Sequence, residues 1–136
     1  MPRAVGRTKR GKELRTMASK VCHFEIPADD VESLQGFYTE MFGWVFRKAD
    51  TPFEYWMIDT GDPVPEGGMM SRKDPSQGPV NYVMVDSLDT SLKKALGLGA
   101  KVIVPKTAVP KFGWFAVLTD PQENAIGLWQ DDTNAA

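Results

Sequence analysis

From Val21 onward, polar and apolar positions mostly alternate, and twice the alternation gives way to a helical period. Residues 21–26 (Val-Cys-His-Phe-Glu-Ile) read as a strand closed by Pro27, which has no amide proton for a ladder. Val31, Leu34, Phe37, Tyr38, Met41 and Phe42 then recur at three- and four-residue intervals. That spacing predicts a helix over Val31–Phe42, with Asp29 or Asp30 as N-cap and Gly43 at its end. Strands are expected over 44–48, 53–58 and 69–72, the last after the Gly/Pro-rich loop 61–68. After a polar connector at 73–78 the same order returns. A strand covers 80–85, a helix capped by Asp86 or Ser87 covers 88–98, and strands cover 101–104, 114–118 and 125–129. The turn at 119–124 (Thr-Asp-Pro-Gln-Glu-Asn) joins the last two and is rich in turn formers.

The return is a repeat of pattern. At one constant offset Asp30 falls on Asp86, Gly43 on Gly99 and Val45 on Lys101. A capped helix between a first and a second strand, occurring twice, marks a duplicated unit. One helix cannot cover both faces of its own three or four strands, so the units bury their sheets by pairing, with the helices outside. The expected fold is therefore α+β: two βαβββ modules, at about 20–72 and 79–131, forming one curved eight-stranded sheet.

Composition narrows the picture. With 136 residues, 42% of them hydrophobic and 25% charged, the chain is long enough for one domain with a core of its own. No apolar run approaches the roughly 18 residues of a membrane span, so no membrane partner is expected. Cys22 is the sole cysteine, which excludes an intrachain disulfide and a cysteine-based zinc site and fits a reducing, cytoplasmic setting. The net charge of −2 is unevenly distributed: seven of the 16 basic side chains, against one acid, fall in the first 20 residues. Such an arm suits nucleic acid in principle. Residues 1–16 carry no sustained apolar period, however, and Met17 offers a second start just before the first strand. They read as a flexible leader, and no nucleic-acid partner is expected.

Several residues together carry a resemblance. His23 stands before Asp30, followed by Phe37-Tyr38 and Phe42-Gly43-Trp44. The second half adds Val85-Asp86-Ser87-Leu88, Leu98-Gly99-Ala100-Lys101-Val102 and the hairpin running from Thr119 through Asp120-Pro121-Gln122-Glu123-Asn124 to Leu128. Over about 20–131 the chain resembles the glyoxalase/bleomycin-resistance/dioxygenase (vicinal oxygen chelate) superfamily, with Glu123 in place of the hairpin's usual glycine. The resemblance implies a sheet curved into a concave cup that takes a small-molecule ligand, and a homodimer. Metal-using members draw His or Gln from the first strand of each half and Glu from its last. Here His23 matches, but the second half offers Pro79 or Val80, its last strand reads Ile126-Gly127-Leu128, and no carboxylate lies near Gly68–Met70. No cofactor is expected, and a divalent metal only if His23 is a ligand.

His23 and Glu25, two apart on one strand, project to the same face and form either an acid/base pair or an ion-paired sheet edge. By the same alternation Tyr82 and Met84 share the face of Val80, and Trp129 that of Gly127, giving five ligand-binding candidates. The missing carboxylate at Gly127 is expected to leave room for a larger ligand. Lys106 and Lys111, around the 105–110 loop, are expected near the mouth of the cup. The favoured function is metal-free binding of a small apolar or aromatic molecule. The alternatives are a metal-dependent lyase, isomerase or dioxygenase using His23, and an interaction module with an unused cup.

Overall fold

The computed structural model describes residues 18–62 and 66–136; the expected leader at 1–16 lies outside the described residues. Within them, the order strand–helix–strand–strand–strand occurs twice. The first module holds β1 (Val21–Ala28), α1 (Val31–Phe42), β2 (Val45–Lys48), β3 (Trp56–Asp59) and β4 (Glu66–Ser71). The second holds β5 (Val80–Met84), α2 (Leu88–Gly97), β6 (Lys101–Val109), β7 (Gly113–Thr119) and β8 (Ala125–Asp131). All eight strands form one open mixed sheet in the order β2-β3-β4-β1-β5-β8-β7-β6. The modules are topological copies: β1 pairs β4 in parallel as β5 pairs β8, and the copies join where β1 meets β5 antiparallel.

The helix ends follow the local chemistry. The Asp30 carboxylate accepts from the Ser33 amide at 3.1 Å, and the Ser87 hydroxyl oxygen accepts from the Thr90 amide at 3.2 Å. Each such cap contributes about 1 kcal/mol. α1 ends at Gly43, whose φ of 72° is left-handed and whose amide donates to the Thr39 carbonyl. α2 has a further tie that crosses the fold, from the Leu88 amide to Gln130 Oε1 of β8 at 2.7 Å.

Both helices lie on one face of the sheet. Beneath α1 the buried Ala28, Ile58 and Met69 gather Phe24, Ile26, Leu34, Tyr38, Trp44 and Trp56. Beneath α2 the buried Leu88, Ala116, Leu118 and Leu128 gather Val83, Val85 and Leu92. A third cluster, Val80, Tyr82 and Val117 with Val104, Phe115 and Trp129, belongs to the opposite face, the cup.

Proline behaves differently from expectation at two places. β1 is not closed by Pro27 but runs on to Ala28, with Pro27 paired to Met70 of β4. Pairing with β5 already ends at Glu25–Val80, so beyond that point this side of β1 is a free edge and demands no amide from Pro27. Likewise β6 extends through Pro105 to Val109. It is an edge strand whose register against β7 shifts between Val104 and Thr107. Lys106 does not line the cup either: its ammonium meets Asp89 of α2 at 3.1 Å and lies 4.5 Å from the centre of the Trp114 ring.

In the β7–β8 turn, Asp120 Oδ1 accepts from the amides of Gln122 at 2.8 Å and Asn124 at 3.0 Å. Glu123 has a φ of 67°, a region that costs a residue with a Cβ about 1 kcal/mol or more. Glu123→Gly should therefore raise stability by up to about 1 kcal/mol, read as a higher urea midpoint at unchanged slope.

Candidate functional site

Strand alternation sends Phe24 and Ile26 towards α1 and His23 and Glu25 into the cup. In the antiparallel register His23 lies opposite Tyr82, and Glu25 opposite Val80. These four side chains therefore meet at the seam between the modules. Glu25 does not touch His23 directly. Its carboxylate accepts the Tyr55 hydroxyl at 2.8 Å on Oε2 and the Tyr82 hydroxyl at 3.0 Å on Oε1. The Tyr55 oxygen also meets His23 Nε2 at 2.7 Å. The result is a continuous chain, His23–Tyr55–Glu25–Tyr82, drawn from β1, β5 and the residue before β3.

Glycine makes the two tyrosine positions possible. Gly68, aligned with Glu25 on β4, lies under the Tyr55 hydroxyl, and a Cβ there would overlap it. Gly127, aligned with Tyr82 across β5 and β8, lies under the Tyr82 ring in the same way. A third aromatic, Trp129, covers Gly113 and donates its indole N–H to Asp131 at 2.7 Å. The expectation that Gly127 leaves room for a larger ligand is thus corrected: the Tyr82 ring occupies that space, and Tyr82 is only 4% exposed. Val80 is buried beside it, while Met84 and Trp129, paired across β5 and β8, stay partly exposed.

Burial sets the electrostatics. Desolvation lowers the His23 imidazole from 6.5 to about 4, so the ring is neutral at pH 7. Desolvation raises the Glu25 carboxyl, opposed by the two tyrosine hydroxyls that favour its ionised form. Burial and the neighbouring carboxylate push both Tyr55 and Tyr82 up, so neither phenol ionises in the ordinary range.

Of the residues predicted from sequence, His23, Glu25, Tyr82 and Val80 come together, and Met84, Gly127 and Trp129 extend the same face. Tyr55 was missed. Its alternation with Trp56 points it into the cup, but its contact with Glu25 depends on the pairing of β3, β4 and β1, which no local pattern carries. Among the described residues, no three of the types His, Cys, Asp and Glu converge as a metal site would require.

The fold is that of a glyoxalase-type protein. The sequence profile of the bleomycin resistance protein-like N-terminal family matches residues 20–61. A glyoxylase-like domain-containing protein of Didymella fabae is 32% identical over 107 residues, covering 71% of this chain and 84% of the relative. The chain thus belongs to the glyoxalase/bleomycin-resistance/dioxygenase superfamily. CFP32 of Mycobacterium bovis, a protein with a provisional glyoxylase name, is 28% identical over 113 residues; the match covers 78% of this chain but only 43% of CFP32. The chain therefore spans less than half the length of that relative. Among solved structures, a glyoxalase/bleomycin resistance protein/dioxygenase superfamily member from Vibrio splendidus superposes with a TM-score of 0.58 at 13% identity. That match covers 85% of this chain and all of the neighbour, a likeness of fold.

Two outcomes follow from the site. Gly68→Ala should displace the Tyr55 hydroxyl from Glu25 and cost about 1–3 kcal/mol, the penalty for a buried acceptor losing a donor. Gly36→Ala, within α1 and with open space around it, should instead stabilise by up to about 1 kcal/mol. Urea titration of both variants reads the opposite signs. For His23, the unfolded chain binds a proton between about pH 6.5 and 4 that the folded chain does not, so stability falls as pH drops through that window. His23→Gln lacks this contribution. Between pH 7 and pH 4 the wild type should lose on the order of 2 kcal/mol more than the variant, allowing for partial solvent screening of the ring. The raised Glu25 acts in the opposite direction but is present in both proteins, so it largely cancels.

Proposed function

We propose that this chain is a metal-free binding protein that holds a small, largely apolar or aromatic molecule on the cup face. The observation that carries this reading is the pairing of aromatic rings with glycines. Tyr55 over Gly68 and Trp129 over Gly113 are partly exposed rings on either side of the buried Tyr82 ring over Gly127, and one hydrogen-bonded polar chain crosses between them. Apolar surface with a few convergent polar groups is the composition of a small-ligand site.

The residues present do not fit a resident metal. The resemblance puts metal-binding carboxylates on the last strand of each half; there this chain has Gly127 and Gly68 under tyrosine side chains. Although β4 opens earlier than expected, on Glu66 aligned with His23, no three His, Cys, Asp or Glu side chains converge among the described residues. Glu25 already accepts two hydroxyls, and His23 Nε2 is engaged by Tyr55. One remaining imidazole nitrogen is too few donors for zinc or iron, which take three or more protein ligands.

The protein is further proposed to act as a homodimer in the cytoplasm. Phe37, Met41 and Phe42 on α1 are 53%, 58% and 56% exposed, an apolar surface that association would cover. No helix among the described residues is long and apolar enough to cross a membrane.

The test combines elemental analysis of untagged protein with a thermal-shift screen of small aromatic compounds. Less than a tenth of an equivalent of metal is expected, together with aromatic hits whose affinity falls at least tenfold in a folded Met84→Trp variant. Near-stoichiometric metal in the wild type that disappears in His23→Ala would instead establish the metal-dependent enzyme.

A further inference from the structure

We infer that the cup selects ligands that present a neutral hydrogen-bond donor, an aromatic hydroxyl or N–H, to Nδ1 of His23, and discriminates against carboxylates and other anions. This inference rests on the reading of the cup as a small-molecule site and specifies the polar group its ligand carries.

The basis is a count of protons along the chain of hydrogen bonds. Both oxygens of Glu25 accept a tyrosine proton: Tyr82 donates to Oε1 at 3.0 Å and Tyr55 to Oε2 at 2.8 Å. Tyr55 has one proton, and that proton is directed at Glu25. Its oxygen can therefore only accept from His23 Nε2 at 2.7 Å, which places the imidazole proton on Nε2. In a neutral ring the other nitrogen, Nδ1, is then an acceptor.

Nδ1 has no hydrogen-bond partner among the described residues, His23 is only half-buried, and the buried orphan atoms there are Gln35 Nε2 and Trp56 Nε1, not Nδ1. The ring is held in place by Tyr55, stacked at 6.2 Å between centroids, and by Tyr82, edge-on at 5.8 Å. A fixed acceptor beside these aromatic rings recognises a donor on a flat molecule. An acceptor lone pair at Nδ1, with the Glu25 carboxyl behind it and no Lys or Arg ion-paired there among the described residues, offers an anion no partner.

His23 is the single histidine, which makes its tautomer directly readable. In the full-length protein at pH 7, nitrogen NMR of the ring should show a protonated Nε2 and an unprotonated Nδ1. A protonated Nδ1 would overturn the inference, because it requires Tyr55 to turn its proton towards His23 or the ring to be charged. Binding is then compared by calorimetry for three probes of similar shape: 2-naphthol, 2-methoxynaphthalene and 2-naphthoate. The naphthol should bind about tenfold or more tighter than the other two, and His23→Phe should reduce that preference to within about twofold. If naphthoate or the methyl ether binds as well as naphthol, the selectivity is wrong while the binding site stands. If none of the three binds, the small-molecule reading of the cup falls and the inference falls with it.

Discussion

A carboxylate half-buried at the seam between two modules needs hydrogen-bond partners, because taking it out of water without them costs free energy. Much of the cup follows from that requirement at Glu25. Its two oxygens take one hydroxyl from each side, Tyr55 from the first module and Tyr82 from the second. Each phenol needs space above the strand beside it, and the two strands supply it as Gly68 and Gly127. His23 joins the chain through Tyr55 and inherits its orientation from it.

The two faces of the sheet solve different problems. On the helix side, aliphatic and aromatic side chains interdigitate beneath α1 and α2, and the work is packing. On the cup side, aromatic rings lie across glycines of the neighbouring strands. Membership of the superfamily decides the first face and leaves the second open, since the fold hosts unrelated chemistries. The cup of this chain holds aromatic rings and one hydrogen-bonded polar line, His23–Tyr55–Glu25–Tyr82.

The modules were legible because their signals are local. Asp30 and Ser87 cap, Gly43 stops α1, and the apolar period between them needs no knowledge of the rest of the chain. The pairing of His23 with Tyr82 was half legible: alternation gives the shared face, whereas their adjacency comes from the register of β1 on β5. Three readings failed for one common reason. Pro27 lies inside β1 because β5 begins only at Val80, opposite Glu25, Gly127 is covered because Tyr82 pairs with it, and Tyr55 reaches Glu25 because Gly68 lets it. Each is a fact about a neighbouring strand, and sequence pattern along one strand does not record its neighbours.

The ends of the sheet carry a consequence of their own. β2 is four residues long and finishes on Arg47 and Lys48. β6 is longer, but Pro105 removes an amide and two register shifts against β7 break its line. An edge so short, or so interrupted, is a poor template for another strand. Both outer edges of the sheet thus disfavour the addition of a further strand through backbone hydrogen bonds.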